Sequence, residues 1–381
     1  MYQYIDSQES LAEFVNNIRS FEWIVIDTEF IREKTYYPQL CLIQVAAGEH
    51  LACIDPIALK DLSALYAVFN DPAITKVFHA AQQDLEILYY ESGEVPTPIF
   101  DTQPAASILG IGEQIGYAGL VEKLLDVSLA KAESRTDWSR RPLSTAQLEY
   151  AIDDVRYLQK LYPVILEMLA KGDRLNWPGK DFKRLTDPQT YQLNARIRWQ
   201  KVKGLQHLKS QQLSILRELA AWREEEASAR NRPRRWIIGD EILVDLARIQ
   251  PTNSDGVAAI RGVNVDQAKR YAPLWLECMD IGRNAPQEDW PVMKRQQKPS
   301  VDIDALAEVL MLVIRLEAEK QGITASAIAS KKQVVAMLQE DRATLFDDWR
   351  GGLVNDVMMK VRQGELAIGV ADGKAQLMNR K

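Results

Sequence analysis

The run Trp23-Ile24-Val25-Ile26-Asp27-Thr28-Glu29-Phe30 sets the strongest limit on what this chain can fold into. A short apolar, β-branched stretch running straight into two acids reads as a buried strand with carboxylates at its end. Side chains alternate along a strand, so Asp27 and Glu29 project to one face and Thr28 to the other. Two carboxylates on one face repel each other, and burial sharpens the conflict. A bound dication resolves it, and a donor set made only of oxygen suits Mg²⁺ or Mn²⁺ rather than zinc. Taken alone, the pattern fits an acidic strand end meeting solvent equally well. What decides between the two is whether further carboxylates converge on it.

Composition narrows the class without naming it. A chain of 381 residues suggests two or three domains. The net charge of −6 argues against coating nucleic acid through bulk charge, but leaves room for local basic surfaces. No apolar run is long enough to span a bilayer, and the N-terminal residues lack the basic-then-apolar order of a secretory signal. Cys41, Cys53 and Cys278 show no zinc-binding spacing and fit a reducing cytoplasm. His50, His79 and His207 are too scattered for a histidine-based metal site. A cytoplasmic protein without membrane attachment is expected.

Taken in order, residues 7–20 read as a short helix with Leu11, Phe14, Val15 and Ile18 on one stripe and Ser7 or Ser10 as its cap. The acid-bearing strand follows, then Pro38 rules out a helix through Thr35–Gln39. Leu40–Ala46 and His50–Asp55 read as strands around a turn at Gly48, their short connection favouring antiparallel pairing. Residues 61–69 are helical in pattern, 74–78 a strand, 80–90 a helix, and 99–101 a strand leading into a helix through Leu109. A meander followed by strands alternating with helices predicts a mixed sheet with helices packed on it. Ser144 and Gln147 have capping-box spacing. They open a long helix to about Leu169, with Leu148, Ala151, Ile152, Val155, Leu158 and Leu161 as its core stripe. Beyond Trp177-Pro178-Gly179 the chain reads as helical, interrupted by a polar, proline-bearing stretch at 287–300.

Further acids fall at the right places. Asp84 lies near the start of the helix launched from the fourth strand, where ligands of α/β sheets gather; Glu86 is turned well round from it. Tyr150 and Asp154 are four residues apart on the long helix and share a face beside the core stripe, with Asp153 turned away. Each can also be read as ordinary: a helix-dipole acid, a surface Asp, a half-buried Tyr. Together they describe a site for two dications roughly 3.5–4 Å apart that clamps a phosphodiester. Asp27 would bridge the two ions. Tyr150 would orient the attacking water, since a phenol of pKa about 10 is a poor base at neutral pH.

Asp-Thr-Glu, His-x₄-Asp and Tyr-x₃-Asp in this order resemble the DEDD exonucleases, tyrosine-bearing branch. Thr35–Gln44 and Ser134–Leu143 narrow the resemblance to the bacterial ribonuclease D family. It implies a ribonuclease H-like mixed-sheet domain at 1–172, a helical linker at 173–205 and an HRDC-type helical domain at 206–286. A second linker at 287–299 and a diverged, HRDC-like helical domain at 300–381 follow. The HRDC likeness rests on Leu213, Leu216, Trp222-Arg223, Pro233, Trp236-Ile237-Ile238, Asp240, Val244 and Ala259–Val263. The resemblance implies 3′→5′ hydrolysis of RNA to nucleoside 5′-monophosphates, trimming of tRNA precursors, two Mg²⁺ or Mn²⁺ ions and a monomer. It places the metal ligands on Asp27, Glu29, Asp84 and Asp154 and the tyrosine on Tyr150, with Asp101 structural.

Substrate contacts are expected among Thr28, Phe30, Tyr36, Tyr37, Gln44, His79, Arg135 and Trp138, although Trp138 reads equally as a packed residue and the family's Asn after the histidine is here Ala80. Arg230, Arg232, Arg234 and Arg235, with Arg223, form an expected nucleic-acid patch, and Arg196, Arg198, Lys201 and Lys203 add basic residues without an acid among them. Two other readings stay open: an exonuclease acting on DNA, since the metals grip the phosphate and the 2′-hydroxyl sensor is not identifiable, and a non-catalytic nucleic-acid scaffold.

Overall fold

A computed structural model describes residues 1–129, 136–293 and 299–380. It divides into two units, the first holding Met1–Glu29, Leu40–Thr190 and the C-terminal region, the second Phe30–Gln39 and the stretch from Tyr191.

The first unit is built on a six-stranded sheet. Its strands are β1 (Gln3–Ile5), β2 (Trp23–Ile31), β3 (Gln39–Ala47), β4 (His50–Ile54), β5 (Thr75–Phe78) and β6 (Ile99–Asp101), ordered β1-β4-β3-β2-β5-β6. β3 and β4 pair antiparallel, as their tight connection predicts, with Ala47 opposite His50. β2 and β5 run parallel with Val25 opposite Val77, and β6 continues in parallel with Phe100 opposite Val77. The carboxyl ends of β2, β5 and β6 therefore open on one side of the sheet, where ligands of α/β folds collect. β1, parallel to β4, was not foreseen: three residues are too few to show alternation.

Helices cover the sheet. α1 (Gln8–Ile18) is capped by Ser7 and buries Leu11, Phe14, Val15 and Ile18, the predicted stripe. α2 (Ser63–Phe69), α3 (Gln82–Ser92), α4 (Thr102–Ile108) and α5 (Tyr117–Leu125) follow, the last not anticipated. α6 (Thr145–Lys171) begins in the predicted capping box, Ser144 Oγ accepting from Gln147 N and Gln147 Oε1 from Ser144 N. It packs on β4 and β5. Its Tyr162 meets Trp23 and Phe100 edge-on, with ring centroids 4.9 and 5.0 Å away.

The C-terminal region departs from expectation in two ways. After α7 (Gly179–Leu185) the second unit intervenes as α8 (Ser210–Ala229), α9 (Arg234–Ile237), α10 (Asp240–Ile249), α11 (Ser254–Ala258) and α12 (Val265–Asn284). The chain then forms α13 (Val301–Gln321), α14 (Ala325–Ile328), α15 (Lys331–Gln339) and α16 (Trp349–Arg362). These last four helices belong to the first unit rather than to a separate body. Trp349 stacks on Trp177 at 4.2 Å, Arg350 binds Asp181 at 2.5 Å, and Thr324 N donates to Ser107 O. Secondly, the region expected as helical to its end closes in an antiparallel hairpin of β7 (Leu366–Ala371) and β8 (Lys374–Asn379). The reason lies in Asp372-Gly373, both at positive φ, which is what a two-residue hairpin turn with the strands' own twist requires.

In the second unit, α8 and α12 pack along each other around Trp275, Leu216, Leu219 and Met279. Glu224 is fully buried in this unit. Tyr36 Oη donates to it at 2.6 Å, Arg234 binds it through Nε at 2.5 Å and Nη2 at 2.6 Å, and Arg198 Nε approaches at 2.8 Å. Burial alone would raise the Glu224 pKa; the Arg234 and Tyr36 bonds outweigh it and hold the carboxyl below its ordinary range. Truncating a partner of such a buried charge costs about 3–5 kcal/mol.

One local conflict gives a prediction. Ala80, between β5 and α3, sits at φ +59° with its side chain exposed, and its amide and that of Ala81 donate to Asp101 at 2.9 Å each. A left-handed alanine costs roughly 1 kcal/mol, and asparagine tolerates that region better. Ala80→Asn is expected to stabilise by about 0.5–1 kcal/mol, read as a higher thermal unfolding midpoint; an unchanged or lower midpoint would refute the strain.

Candidate active site

The acid pair of β2 meets α6. Carboxylate oxygens of Asp27, Glu29 and Asp154 all lie within 4.8 Å of one another, each residue half-buried. Strand alternation supplies the first two, as the sequence implied. The third comes from α6 because Ala151, Ile152, Val155 and Leu158 bind the helix to the core and turn the adjoining face, Tyr150 and Asp154, toward the strand end.

Asp84 is placed differently. It is buried on the first turn of α3, and Thr28 Oγ1 donates to its Oδ1 at 2.6 Å. The side chain expected to face away from the acid pair thus anchors the fourth acid. Asp84 remains close enough to raise the pKa of Asp27, Glu29 and Asp154.

The electrostatics are those of a site short of positive charge. Burial first, then Asp154 and Asp84, pushes Glu29 up to about 9. Asp27 is raised by burial and by Asp154, Asp84 and Glu29; Asp84 and Asp154 are raised chiefly by burial. No lysine or arginine answers these groups among their perturbing neighbours. An all-oxygen cluster of this kind fits a hard divalent cation. Tyr150, one turn before Asp154, is held well above its ordinary pKa by burial and the nearby acids, so its hydroxyl keeps its proton. Asp153 points elsewhere: its carboxylate pairs with Arg156, and its carbonyl accepts from Tyr117 Oη at 2.8 Å.

Several expected substrate contacts are engaged inside the protein. His79 Nε2 lies 3.1 Å from Ile115 O and Nδ1 2.9 Å from Thr102 Oγ1, and burial lowers its pKa to about 4. Both ring nitrogens are thus engaged within the protein, leaving neither for RNA. Gln44 is fully buried on β3, its amide atoms without a hydrogen-bond partner among the described residues. Trp138 is buried with its ring 6.1 Å from that of Tyr150, so the packed reading holds. Thr28 is spent on Asp84. Phe30 is half-buried with no polar group to offer. Arg135 lies outside the described residues. Asp101 accepts three backbone amides, from Ala80, Ala81 and Gln103, and is structural as expected.

In the second unit, Tyr36 is buried on Glu224 rather than open to a ligand, with its amide and that of Tyr37 donating to Asn231 Oδ1. Arg234 is likewise consumed by Glu224, Arg223 by Asp240 at 2.7 Å, and Arg196 by Glu218 at 2.9 Å. Arg230 pairs with Glu226. Arg232 and Arg235 are exposed. The expected patch overcounted because a buried acid removes an arginine from the surface, and sequence does not show which acids are buried.

Mixed sheet, converging carboxylates and helical second unit define the class, a 3′-5′ exonuclease with an appended helical module. Residues 2–170 match the 3′-5′ exonuclease family and residues 212–279 the HRDC domain family. Ribonuclease D of Sphingobium indicum is 36% identical over 385 residues, covering 99% of this chain and 98% of its own. That of Gluconacetobacter diazotrophicus is 35% identical over 370 residues, covering 96% and 94%. The crystal structure of Escherichia coli RNase D, an exoribonuclease involved in structured RNA processing, aligns with a TM-score of 0.82 at 30% identity, over 96% of this chain and 99% of that one. The chain belongs to the ribonuclease D family and is a 3′-5′ exoribonuclease acting on RNA with an acidic site for divalent metal. No helix among the described residues is long and apolar enough to cross a membrane.

The raised carboxyl pKa values fix a sign. Unfolded, these acids ionise near pH 4; folded, they hold their protons higher, so their own contribution to stability without metal is greatest below that pH and is lost as pH rises toward about 9. Divalent cation is expected to stabilise the protein more at pH 8 than at pH 5, by about 2.7 kcal/mol at pH 8 when metal is a hundredfold above its Kd, read as a higher unfolding midpoint. Asp154→Asn should melt at or above wild type without metal at pH 8 and lose most of the metal gain. Equal metal gains for both proteins would exclude this cluster as the binding site.

Proposed function

We propose that Asp27, Glu29, Asp84 and Asp154 would hold two divalent ions, either Mg²⁺ or Mn²⁺. The observation that carries this is the convergence of three carboxylates from a strand and a helix within 4.8 Å, with Tyr150 one turn away. Such ions, when bound, would supply the charge that activates water and stabilises the leaving oxygen of a phosphodiester displacement. The protein's own residues supply position. Thr28 fixes the Asp84 carboxylate through a 2.6 Å bond. Asp101 fixes the backbone just ahead of α3, and so the direction in which that helix presents Asp84. Tyr150 keeps its proton, so it orients water by hydrogen bonding and does not serve as the base.

The products would be nucleoside 5′-monophosphates released from the 3′ end, and the substrates 3′-extended tRNA precursors and similar small structured RNAs. The Escherichia coli relative's role in structured RNA processing supports that choice. We take the protein to be a monomer acting in the cytoplasm, a setting that suits its three cysteines, none of which forms a disulfide among the described residues.

The test is a gel assay on a 3′-extended tRNA precursor and a matched single-stranded DNA, with Mg²⁺, Mn²⁺ or chelator. Wild type should shorten the RNA stepwise only with metal. Asp154→Asn should slow it on the order of a thousandfold or more, the loss of several kcal/mol of charge stabilisation. Tyr150→Phe should slow kcat by roughly 10²-fold or more with little change in KM. RNA shortening in chelator, or equal attack on DNA, would overturn the reading.

A further inference from the structure

The second unit carries a cleft of about 550 Å³ whose lining includes Arg230, Arg232, Trp236, Asp266, Arg270 and Tyr271. Trp236 is 56% exposed, unusual for so large an apolar ring. The Arg232 guanidinium lies 5.8 Å from its centroid. Arg230 and Arg270 lie 5.6 and 5.5 Å from the Tyr271 ring, and Tyr271 is itself buried and held at 5.7 Å from Trp275. The lining therefore holds a fixed aromatic and a free one, with guanidiniums beside each.

The arginines are not equivalent. Arg230 is paired with Glu226. Arg232 and Arg270 are exposed and, among the described residues, have no carboxylate partner. Asp266 is the opposing charge, and it sits in the first turn of α12, where the helix N-terminus offsets it. Two unpaired guanidiniums beside an exposed indole make a surface for a ligand that is both anionic and flat. Unpaired nucleotides have that chemistry, since every base has a face to stack and every linkage a charge. A duplex keeps its base faces stacked inward and offers only its phosphates.

We infer that this cleft is a subsite for single-stranded RNA, an unpaired base stacking on Trp236 while Arg232 and Arg270 hold the flanking phosphates. It rests on the RNA-hydrolysing reading above and adds a second point of contact, in the helical unit, that neither the arginine-rich sequence nor the family assignment specifies. It also redraws the basic patch: Arg234 leaves it and Arg270, more than thirty positions further along the chain, enters.

The test uses the full chain. Binding of a 5′-fluorescent, unstructured twelve-nucleotide RNA would be followed by anisotropy in chelator, so that nothing is hydrolysed. Hydrolysis of a tetranucleotide with metal would be measured alongside. Trp236→Ala should weaken twelve-mer binding roughly 5- to 100-fold, while Trp236→Phe, which keeps a stacking face, should recover most of it. Arg270→Ala should weaken binding and lower the slope of log K against log salt by about 0.7, one single-strand phosphate contact. Tetranucleotide hydrolysis should match wild type in all three. If Trp236→Ala and Arg270→Ala bind the twelve-mer as wild type does, or if wild type does not bind it, the subsite is refuted. Failure of wild type to shorten any RNA refutes the catalytic proposal instead and leaves the binding comparison readable.

Discussion

Repulsion among buried carboxylates is the constraint around which the first unit is arranged. Asp27, Glu29 and Asp154 converge within 4.8 Å, and Asp84 adds its field from α3. Left to relax, such groups would move apart, so something stiffer must hold them. Two acids are fixed by the register of β2 between β3 and β5, in a sheet whose core strands are buried. The third is fixed by a 27-residue helix clamped through its apolar stripe and through Tyr162 on Trp23 and Phe100. The fourth is tied by Thr28. Stability is given up at the strand end so that the fold retains affinity for cations.

The second unit answers the same physical problem the other way. Glu224 is fully buried, yet its carboxyl is held below its ordinary range, because Arg234, Arg198 and Tyr36 bind it. A buried acid with internal partners is structural; one whose neighbours are other acids is a site. This contrast separates the two units more sharply than their secondary structure does, and it marks the candidate site without reference to any relative.

Much of this was legible in the sequence where the determinants are local. Alternation along β2 and a four-residue step on α6 are short-range geometry, and the structure gathers the Asp27, Glu29 and Asp154 they point to, with Tyr150 one turn before Asp154. The Ser144–Gln147 capping box and the α1 stripe were readable for the same reason. The misses are long-range. Tyr36 reads from sequence as either a substrate contact or a packed ring, because its partner, Glu224, lies 188 positions away. Thr28 was assigned to the face away from the acids, and alternation carries no information that α3 brings Asp84 to its hydroxyl. The closing hairpin is a different kind of miss, since Asp372-Gly373 between alternating residues is a local signal that the surrounding helical pattern masked.

The arginines show most plainly why net charge says so little about RNA binding here. Arg232 and Arg234 are two positions apart in one basic run, yet Arg234 is spent on a buried carboxylate and Arg232 stands free beside an exposed indole. What decides availability is whether an acid is sealed within reach, because a buried carboxylate must have its cation while an exposed one can be satisfied by water. Each arginine drawn inward cancels one acid and leaves the surface balance to the remainder. A chain with six more acids than bases can therefore present guanidiniums to a phosphate backbone, provided its surplus acids are placed elsewhere, and four of them are gathered where metal is needed.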